Sequence, residues 1–301
     1  MKRRDFIASA VGMGLIGLQA KTAVSFELGN AKLTSVSDGS LLLPSGFIFD
    51  PMPKDELDEI RTKYGVEGDQ LDRECNLALL QTEDSKILFD VGSGPDFMPT
   101  AGKITDSLNA VGLSPDDITH VVFTHAHPDH IWGLLDDFDD PLFYDATYMM
   151  GRKEWDYWWD PKTVDEIGDA RQAFAVGAKR RMEAIEDQVE FFDDGDEILP
   201  GVSAFASFGH TPGHMAFEIR QGSEAALIVG DAIGDHHVAF ERPQWPSGSD
   251  QDADTAIVAR QRLLDRLVSE QMRLVGFHLP NGGIGRAERS DGGYRFVGDA
   301  T

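Results

Sequence analysis

Short apolar runs bounded by glycine, proline, asparagine and aspartate recur along the whole chain, and stretches of mixed charge separate them. Such runs read as buried strands, and the mixed stretches read as helices. Residues 24–36 thus form a first strand or strand pair closed by a turn at Asp38-Gly39, and residues 44–53 an irregular stretch before a short acidic helix over 54–64. Residues 76–82 and 86–90 form a hairpin. A helix over 106–111 and a helix start at Ser114-Pro115-Asp116 precede a strand over 118–124. The next strand covers 142–149, a long helix 165–187, and a further strand 189–192 ends in an Asp194-Gly195 turn. Strands over 203–207, 225–229 and 273–277 repeat the rhythm in the second half, which agrees with an α/β sandwich of two sheets flanked by helices.

Two local features interrupt this pattern. The segment Lys153-Glu154-Trp155-Asp156-Tyr157-Trp158-Trp159 packs four aromatics into five positions, and a helix cannot turn them all to one side, so at least one faces a pocket or an interface. Phe47 and Phe49, in the irregular stretch, suit either a pocket mouth or the core. At the other extreme, the first residues have the form of an export signal. Lys2-Arg3-Arg4-Asp5-Phe6-Ile7 is followed by an uncharged Gly- and Ala-rich stretch through Ala20, which is too short for a membrane span. The arginine pair resembles the twin-arginine type, which divides the chain into a signal over 1–23 and a domain over 24–301, and predicts a periplasmic or secreted protein.

A chain of 301 residues with 41% hydrophobic content has ample material for a core. Its formal charge of −25 repels phosphate backbones and argues against a nucleic acid partner. The single cysteine, Cys75, rules out an internal disulfide and a cysteine-rich zinc site.

The stretch with chemistry in it is Thr124-His125-Ala126-His127-Pro128-Asp129-His130, directly after the apolar run over 118–123. Imidazole and carboxylate suit a borderline divalent cation, zinc first, with manganese, iron and cobalt also compatible. His125 and His127, two apart at a strand end, can grip one ion. Pro128 turns the chain away, Asp129 suits the N-cap of a helix beginning near Ile131, and Asp129 and His130 are thereby aimed at a second ion.

This motif resembles the His-x-His-x-Asp-His signature of the metallo-β-lactamase superfamily, and the resemblance extends over nearly all of the domain. It implies an αββα sandwich of two mixed β-sheets flanked by helices. Asp90, in Asp90-Val91-Gly92, matches an Asp-x-Gly element that supports the metal loop from behind. The Gly209-His210-Thr211-Pro212-Gly213-His214 element makes His214 the third ligand of the first ion, with His210 behind it. Gly230-Asp231 supplies the carboxylate that bridges both ions, and His278 is the last histidine ligand. The implied sets are His125, His127 and His214 for the first ion and Asp129, His130 and His278 for the second, with Asp231 shared and with Asp129 and Asp231 as catalytic carboxylates. His236 and His237 are expected to be loop residues without a ligand role.

Within the superfamily, residues 283–288 and 293–297 look like the C-terminus of methyl parathion hydrolase and its relatives. The aromatic segment is similar to the helix lining their leaving-group pocket, with Trp158 at the corresponding place and Trp155 and Phe47 as further lining candidates. The resemblance implies a binuclear metal-dependent hydrolase that uses a metal-bridging hydroxide on a small neutral ester-type substrate: a lactone, a carboxylic ester or an organophosphate triester. It also suggests a homodimer. A thioesterase of the glyoxalase II kind and a metal-bound protein without catalysis are the competing readings. No Gly-x-Ser-x-Gly elbow or phosphate-binding loop is present to support another chemistry.

Overall fold

In the computed structural model the described residues are 23–299, so the expected export signal lies, but for Ala23, outside them. The described residues form two seven-stranded sheets. The first contains β1 (Val24–Leu28), β2 (Ala31–Pro44), β3 (Gln70–Gln81), β4 (Lys86–Phe89), β5 (His120–Phe123), β6 (Thr147–Gly151) and β7 (Val189–Phe192), in that spatial order. The second contains β8 (Glu197–Leu199), β9 (Val202–Ala206), β10 (Met215–Gln221), β11 (Glu224–Gly230), β12 (Arg273–Gly276), β13 (Ile284–Ser290) and β14 (Gly293–Gly298). Both sheets are mixed. β4 to β7 run parallel and β1 to β4 antiparallel, while β11 and β12 form the one parallel pair of the second sheet among the described residues.

The continuous apolar runs follow from burial on both faces of each sheet. Along β3, Ala78 and Leu80 point between the sheets, while Leu77 and Leu79 point outward under the helices. The same alternation places Val122 inside and Val121 and Phe123 outside, and on β11 it sets Ile228 against Leu227. Phe89 and Phe217 meet across the sandwich with ring centroids 5.2 Å apart. Helix Ala253–Ser269 covers the second sheet with Leu263, Leu264 and Leu267, completing the αββα order of layers. Full burial of each such side chain stabilises the fold by about 1.5–3 kcal/mol. Among the described residues no helix is long and apolar enough to cross a membrane.

Three sequence expectations are corrected here. Asp38-Gly39 is no turn but a bulge inside the 14-residue β2. Its dipeptide carries a turn signal locally, yet Asp38 is buried and its carboxylate accepts hydrogen bonds from the Ser93, Gly102, Lys103 and Ile104 amides and from the Ser93 hydroxyl. The helix expected over 165–187 is divided into Thr163–Glu166, a 3₁₀ turn Asp169–Arg171 and Gln172–Glu183, because Gly168 adopts φ +90° between them. Finally, the helix after the metal loop begins at Pro128 with His127 as its N-cap, so Asp129 lies within the first turn.

Candidate metal centre

The parallel strands decide where the chemistry gathers. β4, β5, β11 and β12 end at one rim, and the residues just beyond them, together with the loop between β9 and β10, converge there. Two groups of ligand-type atoms result. His125, His127 and His210 form one, and Asp129, His130, Asp231 and His278 form the other, all of them buried.

In the first group His127 Nδ1 lies 3.0 Å from His125 Nε2 and 2.9 Å from His210 Nε2. Burial, and then the neighbouring rings, hold His125 and His127 well below the ordinary imidazole pKa. Neutral rings turn lone pairs toward this point, and nitrogen donors about 2.0–2.1 Å from a zinc ion would be separated by about 3.3 Å in a tetrahedral site. In the second group His278 Nε2 is 3.3 Å from both Asp129 Oδ2 and Asp231 Oδ2, and His130 Nε2 is 3.4 Å from Asp231 Oδ1. Asp231 Oδ2 also lies 3.4 Å from His210 Nε2, so this carboxylate touches both groups.

Each ring is aimed by a partner on its far nitrogen. His130 Nδ1 donates to Asp90 Oδ2 at 2.8 Å, His278 Nδ1 to the Glu74 carbonyl at 2.8 Å, and His210 Nδ1 to Asp250 Oδ1 at 3.1 Å. Asp90 also accepts from the Thr124 amide and hydroxyl at 2.7 and 2.8 Å, which pins the start of the loop that carries His125 to His130. It holds φ +65°, a conformation that costs a non-glycine residue about 1–2 kcal/mol and that these bonds offset. Asp250 is anchored in turn by Arg260 Nη2 at 2.7 Å.

His210 and His214 differ in what their ring nitrogens meet. His214 has both ring nitrogens engaged by the protein: Nδ1 faces Ser207 Oγ at 2.8 Å and Nε2 accepts the Asp231 amide at 3.0 Å. It thereby holds the backbone of Asp231, while the nitrogen that gathers with those of His125 and His127 is that of His210, expected behind it. Gly230 is required for this contact, since a Cβ there would stand 2.7 Å from His214 Nε2. His236 and His237 lie outside both groups.

The residues fit a pair of cations on internal grounds. Among the described residues Asp129 Oδ2, His130 Nε2 and Asp231 Oδ1 are buried side-chain atoms without a hydrogen-bond partner. Carboxylate oxygens left so in a protein interior are costly unless a positive charge meets them. In the metal-free protein that charge comes from protons. Burial opposes it, yet Asp129, Asp231 and Asp90 hold His130 well above the ordinary imidazole pKa, and Asp231 first among its neighbours raises His278. Both rings are thus shifted toward the protonated form, which competes with a cation for Nε2. Zinc uptake by metal-free protein is accordingly expected to release protons from His130 and His278. Calorimetric titration in buffers of different ionisation enthalpy measures this, and heats independent of buffer would contradict it.

A cavity of about 300 Å³ opens onto the cluster, reaching His127, Asp129, His210, Asp231 and His278. Its walls are Leu41, Leu43, Phe47, Ile48, Phe97, Met98 and Phe174, with Arg73 and Arg171 among the lining residues. Phe47 lies in this lining, one of the two places its sequence context allows. Trp155 and Trp158 are not in the lining: Trp155 stacks on Trp159 at 5.0 Å in the core, and Trp158 is 1% exposed and turns its edge to the far side of His127. Phe97 and Phe174, from segments with no local signal, take the place expected of them.

N-acyl homoserine lactonase AttM of Azorhizobium caulinodans is 29% identical over 123 residues, 40% of this chain and 43% of that protein. N-acyl homoserine lactonase AiiB of Agrobacterium fabrum is 32% identical over 202 residues, 56% of this chain and 67% of the relative. The chain thus matches less than half the length of AttM. Among solved structures, the hydrolase AbOPH of the beta-lactamase superfamily superposes with TM-score 0.87 at 25% identity, over 94% of this chain and 99% of that one. AidC, a dizinc quorum-quenching lactonase in complex with a product, gives 0.87 at 25% identity over 93% and 98%. The sequence model of the metallo-beta-lactamase superfamily matches residues 71–278, from β3 to the last histidine of the cluster and well over half of the chain, and this protein belongs to that superfamily.

Proposed function

We propose that the protein is a zinc-dependent hydrolase of neutral ester-type substrates, and that lactones are its principal class. The observation that carries this reading is the apolar cavity seated directly on the two donor groups. Aliphatic and aromatic walls favour an uncharged, chain-bearing substrate, and the charge of −25 disfavours anions such as phosphate monoesters. Lactones are placed ahead of phosphotriesters and thioesters because AttM and AiiB carry the name lactonase; the likeness to methyl parathion hydrolase keeps the triesters in the test.

His125, His127 and His210 would hold one ion, Asp129, His130 and His278 the other, and Asp231 would touch both. When bound, the ions supply Lewis acidity and a water acidic enough to act as a nucleophile near neutral pH. The chain contributes the rest. The cavity walls orient the acyl chain and exclude bulk water, which strengthens every electrostatic interaction at the cluster. Asp231 fixes the spacing of the two groups, with its own backbone held by His214. Asp129 lies in the cavity lining with Oδ2 free of hydrogen bonds, where it can take a proton and return it to the leaving alcohol oxygen.

Metal-loaded protein offered chromogenic lactones, carboxylic esters, thioesters and phosphotriesters is expected to turn over lactones with the highest kcat/KM. Preference for thioesters or triesters would move it to those classes, and no turnover at full zinc occupancy would establish a binding protein. Export by the twin-arginine route belongs to the same proposal, and a reporter fused after residue 23 that stays in the cytoplasm would remove it.

A further inference from the structure

The aromatic helix Arg152–Trp159 also carries Glu154, 1% exposed and a member of neither donor group. Its carboxylate is filled by four donors. The Ala126 amide and the Trp158 indole N–H donate to Oε1 at 2.9 and 2.5 Å, and the Thr211 hydroxyl and the Gly213 amide donate to Oε2 at 2.7 and 3.0 Å. Ala126 is the residue between His125 and His127, and Thr211 follows His210. One oxygen therefore grips the loop that leaves β5 in the first sheet, and the other grips the loop that leaves β9 in the second. The approach is built in: a Cβ on Gly213 would stand 2.1 Å from the Glu154 amide nitrogen.

Burying a carboxylate with no cationic partner is expensive, and among the described residues Glu154 forms no ion pair. The four donors satisfy it, but an apolar side chain could fill the same volume at lower cost. What an apolar side chain could not do is tie two loops from different sheets at the peptides that flank the three nitrogen donors. The second group receives no bond from Glu154. We propose that Glu154 is a positioning residue that sets the spacing of His125, His127 and His210 and thereby the affinity of that group for a divalent cation. This rests on the metal reading above.

Glu154→Gln tests it with almost no change in shape. Whichever way the amide turns, its NH₂ meets N–H donors. The hydroxyl of Thr211 alone can reverse to accept, so the amide is expected to face Thr211 and leave the Gly213 amide unpartnered. Titrating metal-free wild type and variant with zinc against a competing chelator reads the two positions separately, and cobalt(II) absorption reports the geometry of each. The three-histidine position is expected to weaken by about 10- to 100-fold with an altered cobalt spectrum, while the Asp129 position stays within about threefold. Equal affinities in wild type and variant, or an equal fall at both positions in step with the thermal midpoint, would overturn the positioning role. A wild type that fails to take up two zinc ions would instead overturn the metal reading on which it rests. Thr211→Val removes one donor and leaves acid and ligands in place; it is expected to weaken the same position by about fivefold. If Glu154→Gln does not fold, an unchanged Thr211→Val likewise overturns the proposal.

Discussion

Asp231→Asn is expected to leave a folded protein that holds at most one zinc ion per chain and turns over the lactones proposed above at least about a thousandfold more slowly than wild type. The side chain keeps its size, and the backbone amide that donates to His214 is untouched, so the β11 terminus has no reason to move. What is lost is a negative charge that stands 3.3 to 3.4 Å from nitrogen donors of both groups. A unit charge at about 4 Å in an effective dielectric near 20 is worth about 4 kcal/mol, and that energy corresponds to about three powers of ten in a binding constant or a rate. The amide also places an N–H₂ where a cation would sit. Elemental analysis beside steady-state kinetics checks the result. Two ions per chain with near-normal turnover would show that Asp231 does not join the two positions.

The sequence made the site legible wherever an apolar run ended abruptly in ligand-type residues. His125, His127, Asp129 and His130 crowd one loop, and Asp90, Asp231 and His278 each follow a run whose burial on both faces marks a central strand. What it concealed is what depends on a partner distant in the chain. Asp38-Gly39 has the composition of a turn, and only the loop over 93–104 closing onto the carboxylate makes it a bulge. Trp158 belongs to an aromatic cluster whose facing is set by the acid beside it, since its indole N–H is directed to Glu154. Phe97 and Phe174 meet edge to face at 6.3 Å across 77 residues of chain, and no local pattern announces that they wall one cavity. Asp250 orients His210 from a loop of small polar residues that reads as plain connection.

The contrast between His210 and His214 is the sharpest case, and it leads to the second large effect. The two histidines stand four apart in one loop, with identical side chains and glycines beside both, so residue type alone cannot say which has a free lone pair. Ser207 and the Asp231 amide meet both nitrogens of His214, which favours His210 as the donor. His210→Ala is therefore expected to lose one zinc ion, to keep the other, and to lose activity about as severely as Asp231→Asn. His214→Ala is expected to keep two ions but to fold less stably. It leaves the buried Asp231 amide without an acceptor, a loss of about 1–3 kcal/mol, and opens a cavity between the loops. For a domain of this size that is a fall of several degrees in Tm, with zinc bound about 10- to 100-fold more weakly because Asp231 is less firmly held. Zinc content and thermal midpoint measured together separate the two variants. A His214→Ala protein that retains one ion at unchanged stability, beside a His210→Ala protein that retains two, would return the third ligand to His214.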